Sequence, residues 1–281
     1  MNLEKIVFGK RQPTRRGTIL KNLLIIFIIL VVLVVFVVIG LGQLGRAVNN
    51  EEYKEFSALV SKTYNVSDIV QFEIGGIDSA NFKNKLSSSF DATNLYNGDT
   101  LNTQVLFNSA TLTQEMTLDK KDLTILARVY LEYVIGLDAK AIAGVFEVQN
   151  ISVDTNGNTT NLRLVTKISM SALGMGGGLD IGMLSSKDLP EFVYITFLGT
   201  IDNTKTMQKC LTSSNIIVNN LSSDENNKVL EFFLGKYSDE LTMQDLLPLP
   251  IQYYLSTLHD IFNMWNARTS FASGGITLST I

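Results

Sequence analysis

The sequence predicts an α+β protein: an N-terminal single transmembrane helix, then an extracytoplasmic domain whose mostly antiparallel sheet is packed by several helices. Three observations carry this. One apolar run is long enough to cross a bilayer. Several later runs alternate with period two. Helical stripes fall in groups among the strands and do not alternate with them one for one.

The apolar run comes first. Leu23 to Leu41 read LLIIFIILVVLVVFVVIGL, nineteen residues without a charge. At ~1.5 Å rise per residue they make a helix about 28 Å long, against a hydrocarbon thickness of ~30 Å. Lipid offers backbone amides no partners, so the many Val and Ile residues do not turn this run into a strand. Residues 1–22 hold Lys5, Lys10, Arg11, Arg15, Arg16 and Lys21 against Glu4 alone. The segment after the run, GQLGRAVNNEEYKE, has one Arg and then acids. The positive-inside rule makes 1–22 a cytoplasmic basic tail and puts 43–281 outside the cell membrane. The run is longer than the ~7–15 apolar residues of a cleaved signal peptide, and GQLGRAV is a poor cleavage site, so it reads as an uncleaved signal anchor. Its partner is the lipid bilayer.

Composition narrows the rest. With 281 residues, 46% of them hydrophobic, the chain can bury a sizeable core. The net charge is −4 and the tail holds +5 of it, which leaves −9 on the remainder. Such a body is a poor match for nucleic acid or anionic headgroups. Cys210 is the only cysteine, which excludes an intrachain disulfide and a cysteine-based zinc cluster. It reads as a small core residue.

Residues 42–66 form a juxtamembrane part, with Tyr53, Phe56, Val60 and Tyr64 at helical spacing over 50–64. The stripe reads as packed on its own domain, since a helix lying on a membrane would carry more Lys and Arg. The domain proper is 67–281. DIVQFEIGGI, 68–77, reads as a strand, and 78–104 as a polar stretch with a turn at Asn97-Gly98. Val105, Leu106, Phe107, Ala110, Leu112, Met116 and Leu118 read as a long period-two strand. LDKKDLTILARVYLEYVIGL is a helix, with Asp119 as its cap and Asp122 as the box partner. Residues 145–173 form a hairpin about Asn156-Gly157. The run Asp154-x-Asn156-Gly157-Asn158 is a turn and not a calcium loop, because its Gly comes fourth and no Glu closes it. EFVYITFLGTI, 191–201, and NIIVNN, 215–220, are strands, and Ser223 caps a helix of about twelve residues. The last helix runs over about 251–267, and TSFASGGITLSTI reads as loop ending in an edge strand.

The stretch SALGMGGGLDIGML, 171–184, carries five glycines. A dinucleotide loop needs G-x-G-x-x-G, but the third position falls on Leu179 or Ile181. Gly177 and Gly182 have the spacing of a phosphate loop, yet Met183 and Leu184 follow in place of Lys and a hydroxyl. The stretch is therefore a bend with apolar residues between its glycines. Gly174, Met175, Gly176, Gly177, Gly178, Leu179, Ile181 and Met183 are the candidate groove or hinge. Ile251, Tyr254, Leu255, Leu258, Phe262 and Trp265 make a clean helical stripe and are the candidate interaction helix. His259 is the only histidine, too few for a typical catalytic zinc site, and no G-x-S-x-G, S-x-x-K or H-E-x-x-H occurs. The acid pairs Asp119/Asp122, Asp224/Glu225 and Asp239/Glu240 stand at helix starts, where carboxylates serve the dipole. No catalytic, cofactor-binding or metal-binding residue is assigned, and the expectation is a protein that is not an enzyme.

Residues 105–235 resemble the YpmS-type family of membrane-anchored proteins of Gram-positive bacteria. The matching pieces are LDKKDLTILARVYLEYV, Leu173-Gly174 and LPEFV at 189–193. This chain departs from the family in its glycines within the apolar stretch and in its added C-terminal helix. The resemblance implies an extracytoplasmic role in the cell envelope and carries over no functional residues. The first expectation is thus a non-catalytic envelope protein that binds or scaffolds a protein partner. The second is a lipid or hydrophobic-ligand binder with a groove on an antiparallel sheet. The third is a cell-wall hydrolase using two carboxylates.

Overall fold

The computed structural model describes residues 50–62, 76–135, 146–169, 190–206, 209–234 and 248–281. The expected span 23–41 lies outside them, and no described helix is long and apolar enough to cross a membrane. Within them the chain is α+β, with antiparallel sheets and several helices.

Helix α1 is Asn50–Val60, and Phe56 and Val60 bury its apolar stripe. Helix α2, Gly76–Ser89, replaces the end of the strand expected over 68–77 and the first part of the polar stretch. Its sequence is rich in Ser and Asn, and it is held by Phe82 and Leu86, four apart and both buried. Short strands β1 (Phe90–Asp91), β2 (Tyr96–Asn97) and β3 (Thr100–Leu101) follow, with Gly98 at φ +60° turning β2 into β3. The long strand expected over 105–118 divides into helix α3 (Thr103–Asn108), β4 (Thr111–Leu112) and β5 (Met116–Asp119). The reason lies in Leu106 and Phe107, adjacent and both fully buried, which one helix face allows and one strand face does not. The Asn102 side chain accepts from Val105 N at 3.2 Å and starts that turn.

Helix α4, Lys120–Ile135, begins where β5 ends. Asp119 Oδ1 accepts from Lys121 N and Asp122 N at 2.8 and 3.0 Å, and Asp122 Oδ2 accepts from Asp119 N at 3.0 Å. This is a reciprocal capping box. Lys85 of α2 closes it: its ammonium binds Asp122 and stands 3.6 Å from Asp119. Burial pushes the Asp122 carboxyl above the ordinary aspartate value. Burial would raise Asp119 as well, but backbone N–H donors and Lys85 hold it below that value.

Strands β6 (Phe146–Asn156), β7 (Thr159–Ser169), β8 (Phe192–Asp202) and β9 (Leu211–Val218) form a four-stranded antiparallel sheet in that order. Asn156 pairs with Thr159, so the loop is Gly157-Asn158, one residue later than Asn156-Gly157, with Gly157 at φ +60°. A positive φ at the first loop residue is the II′ hairpin, and glycine belongs there. Strand β9 starts earlier than the 215–220 expectation and stops at Asn219 and Asn220, both left-handed. Asn219 donates to Val60 O at 2.6 Å and accepts from Tyr194 N at 2.8 Å, tying α1 to the sheet. Helix α5, Ser223–Leu234, has Ser222 as its cap and not Ser223, through Ser222 N to Glu225 and Glu225 N to Ser222. Asn226 on α5 accepts from Val218 N at 2.8 Å and donates to Ile216 O at 2.7 Å, so its amide covers the last residues of the β9 edge.

Helix α6, Leu249–Met264, ends at Trp265, and Asn266 at φ +56° turns the chain as a left-handed cap. The tail is more than loop. Strands β10 (Ala267–Ala272) and β11 (Gly275–Thr280) form a hairpin, and β11 pairs with β5 in a sheet of order β10-β11-β5. The large core lies between the three- and four-stranded sheets, α2, α3, α4 and α6. Its centre is aromatic: Trp265 meets Phe90 edge-on at 4.8 Å and stacks over Phe107 at 6.3 Å.

Two predictions follow from this packing. A Cβ at Gly275 would stand 2.2 Å from Leu118 O, a backbone atom that cannot move aside. Gly275→Ala should therefore cost about 2 kcal/mol or more in denaturant titration, by forcing β11 from β5. Lys85→Met leaves the buried Asp122 carboxylate without its cation, an expected loss of about 2 kcal/mol at neutral pH given the partial exposure of Lys85. A carboxyl whose folded pKa lies above its unfolded value binds protons more tightly when folded. The loss should shrink as pH falls through the raised Asp122 value, which unfolding midpoints across the acidic range would measure.

Candidate functional site

The site is a cavity between α4, α6 and one face of the four-stranded sheet. Each wall has its own reason for standing where it does. Strand β6 is an edge strand, with a bulge between Val148 and Asn150. Its free backbone groups are met from α4: Ile151 N donates to Thr124 Oγ1 at 3.0 Å, and Arg128 Nε donates to Val148 O at 2.6 Å. Arg128 also pairs with Glu147 at 3.1 Å. Thr124 and Arg128 are one turn apart, so α4 runs beside the edge and turns Leu126, Ala127, Tyr130 and Leu131 toward the cavity.

The floor comes from strand alternation. Val148 pairs with Thr166, and Leu164 with Phe197, so these four and Phe146 point to one face and line the cavity. The opposite wall is α6. Pro250, Tyr253, Tyr254, Thr257, Leu258 and Ile261 line it at helical spacing. Gly199 seats this helix, because a Cβ there would stand 2.7 Å from Ile251 Cγ2. The far end of α6 is fixed by Trp265, whose Nε1–H donates to Leu106 O at 2.8 Å.

The space is a half-open pocket of about 140 Å³. An enclosed apolar cavity of roughly that volume admits a benzene-sized molecule. Among the described residues the lining has no Asp, Glu, Lys, Arg or His, and its polar atoms are few. The Thr166 hydroxyl donates to Ile195 O at 3.2 Å and is satisfied. The Tyr254 hydroxyl is sealed from solvent and has no hydrogen-bond partner. Burial drives its pKa far above the ordinary phenol value, so it remains a neutral O–H donor. Asn150 Oδ1 and Thr196 Oγ1 also lack partners, but both residues flank Val165 on the opposite face of the sheet.

The residues singled out in the sequence are distributed as follows. Tyr254 and Leu258 line the cavity. Ile251, Leu255, Phe262 and Trp265 are buried in the core, so the stripe of α6 faces its own domain and offers no free apolar face to a partner. Gly174, Met175, Gly176, Gly177, Gly178, Leu179, Ile181 and Met183 lie outside the described residues. Asp119 and Asp122 are bound to Lys85, and Glu225 is bound to Lys62. Asp239 and Glu240 lie outside the described residues. His259 Nε2 is 3.0 Å from Asn263 Nδ2, one turn along α6. Cys210 is buried and its thiol is pushed up by that burial, away from the thiolate a nucleophile needs. Among the described residues no group of three or more His, Cys, Asp or Glu stands together.

The floor residues Phe146, Leu164, Thr166 and Phe197, with Tyr253 and Thr257, were not marked as a site by sequence reasoning. Alternation reveals which face of a strand is covered. It does not reveal that the cover leaves a gap. No family model, curated protein or solved structure matches the chain.

The orphaned hydroxyl has a measurable consequence. A buried hydroxyl without a partner destabilises the fold, and removing it relieves that cost. Tyr254→Phe should raise the stability of the ligand-free protein by about 1 kcal/mol, read as a higher melting temperature.

Proposed function

We propose that the chain is a single-pass membrane protein, N-terminus in the cytoplasm, whose extracytoplasmic domain binds a small apolar ligand without catalysis. The observation that carries the reading is the cavity of about 140 Å³, walled by carbon and held between α4 and α6. The anchor and orientation rest on the uncharged run 23–41 and the basic tail before it. The resemblance of 105–235 to the YpmS-type family supports an envelope setting. A ligand-binding module is favoured over a protein scaffold because the α6 stripe is buried in its own core.

The test measures toluene, a neutral probe of about the size the cavity admits, in the headspace above the full chain in nanodiscs. Saturable uptake above that of nanodiscs with an unrelated anchored domain is expected. Ala127→Phe places a ring in the cavity and should weaken binding at least about tenfold while unfolding stays cooperative. Equal binding by the two proteins would place the ligand elsewhere and defeat the reading.

A further inference from the structure

We infer that the ligand of this pocket is an acyl chain of a bilayer lipid, drawn in through a mouth that the N-terminal anchor holds beside the membrane. The inference rests on the ligand-binding reading and its anchor, and it names the ligand and its source. The lining decides what enters. Its walls are carbon and, among the described residues, carry no charged side chain, so a run of methylenes fits and a charged headgroup does not. The pocket is half open, so the part that enters can stay joined to a polar part outside. Burial along the floor gives the direction of the opening. Leu164, Phe197 and Val148 are buried, whereas Phe146, the first residue of β6, is half-buried. The mouth therefore lies at the end of the sheet where β6 begins.

Helix α1 is fastened at that same end. Phe146 pairs with Ile168, and Ile168 with Val193. The next residue, Tyr194, donates its N–H to Asn219, whose amide donates to Val60 O. Mouth and fastening thus stand on neighbouring rows of the sheet, three strand spacings or about 14 Å apart. Lys228–Glu55 at 2.7 Å and Lys62–Glu225 hold α1 along α5. Asn50 follows the apolar run 23–41 after eight residues. Fully extended, eight residues reach about 30 Å, less than the ~45 Å width of a domain of this length. The anchored end cannot swing to the side away from the bilayer, so the mouth stays close to a surface built of acyl chains.

The test is photolabelling of the full chain in phosphatidylcholine nanodiscs, with a fraction of the lipid carrying a diazirine at the end of one acyl chain. Two groups of labelled peptides are expected: the span 23–41, and the peptides that hold Leu164 and Phe197. Ala127→Phe should cut the label on the lining at least about tenfold and leave that on the span, the internal standard, within about twofold. Label confined to the span while toluene is still taken up saturably means that the pocket binds small free molecules and not bilayer chains. That outcome overturns this inference and leaves the ligand-binding reading standing. Equal lining label in the folded variant overturns it too. If neither toluene nor the lipid enters, the ligand-binding reading fails and this inference fails with it. Should Ala127→Phe fail to fold, the map on the natural chain decides alone, since label on the span only is the overturning result.

Discussion

Two side chains on one face of α4 do for strand β6 what a neighbouring strand would otherwise do. Thr124 accepts from Ile151 N, and Arg128 donates to Val148 O. Backbone groups on a half-buried edge need partners, and here a helix supplies them. The consequence reaches well beyond the edge. A helix held only by apolar contact can roll or slide to close a gap beneath it. A helix bound at two points one turn apart cannot. The capping box at Asp119 and Asp122, locked by Lys85, fixes the start of the same helix where β5 leaves it. The position of α4 therefore follows from directional bonds, and the apolar side chains fill what space those bonds leave.

The same logic holds on the other side. Helix α6 rests at one end on Gly199, where no side chain would fit, and is bound at the other through the Trp265 indole. Cavities persist when the surrounding structure cannot relax into them. Between two helices fixed in this way, above a sheet whose register is set by its hairpins, an empty volume is a property of the scaffold.

The legibility of this structure in its sequence follows the range of the interactions. The capping box was readable because Asp119 and Asp122 are three residues apart, and the two Gly-turned hairpins because Asn-Gly is a local signal, though each loop lies one residue later. Helix α2 was not readable: GIDSANFKNKLSSS has the composition of turns, and only burial of Phe82 and Leu86 against distant elements makes it helical. The tail became a hairpin because β11 finds β5 more than a hundred residues upstream. The cavity was the least visible feature. Its lining comes from five separate elements, and each contributes residues that look like ordinary core. Tyr254 was noticed as one member of an apolar stripe, while its unmet hydroxyl emerges only once every neighbour is in place.

The amide of Asn226 carries a different kind of consequence. It bonds to Val218 N and Ile216 O as a strand would, yet it belongs to a single side chain with no further residues behind it. It acts as a chain terminator does in polymerisation: it occupies the growing end and offers nothing to the next unit. Copies of this domain crowded together would find the Ile216–Val218 end of β9 already occupied.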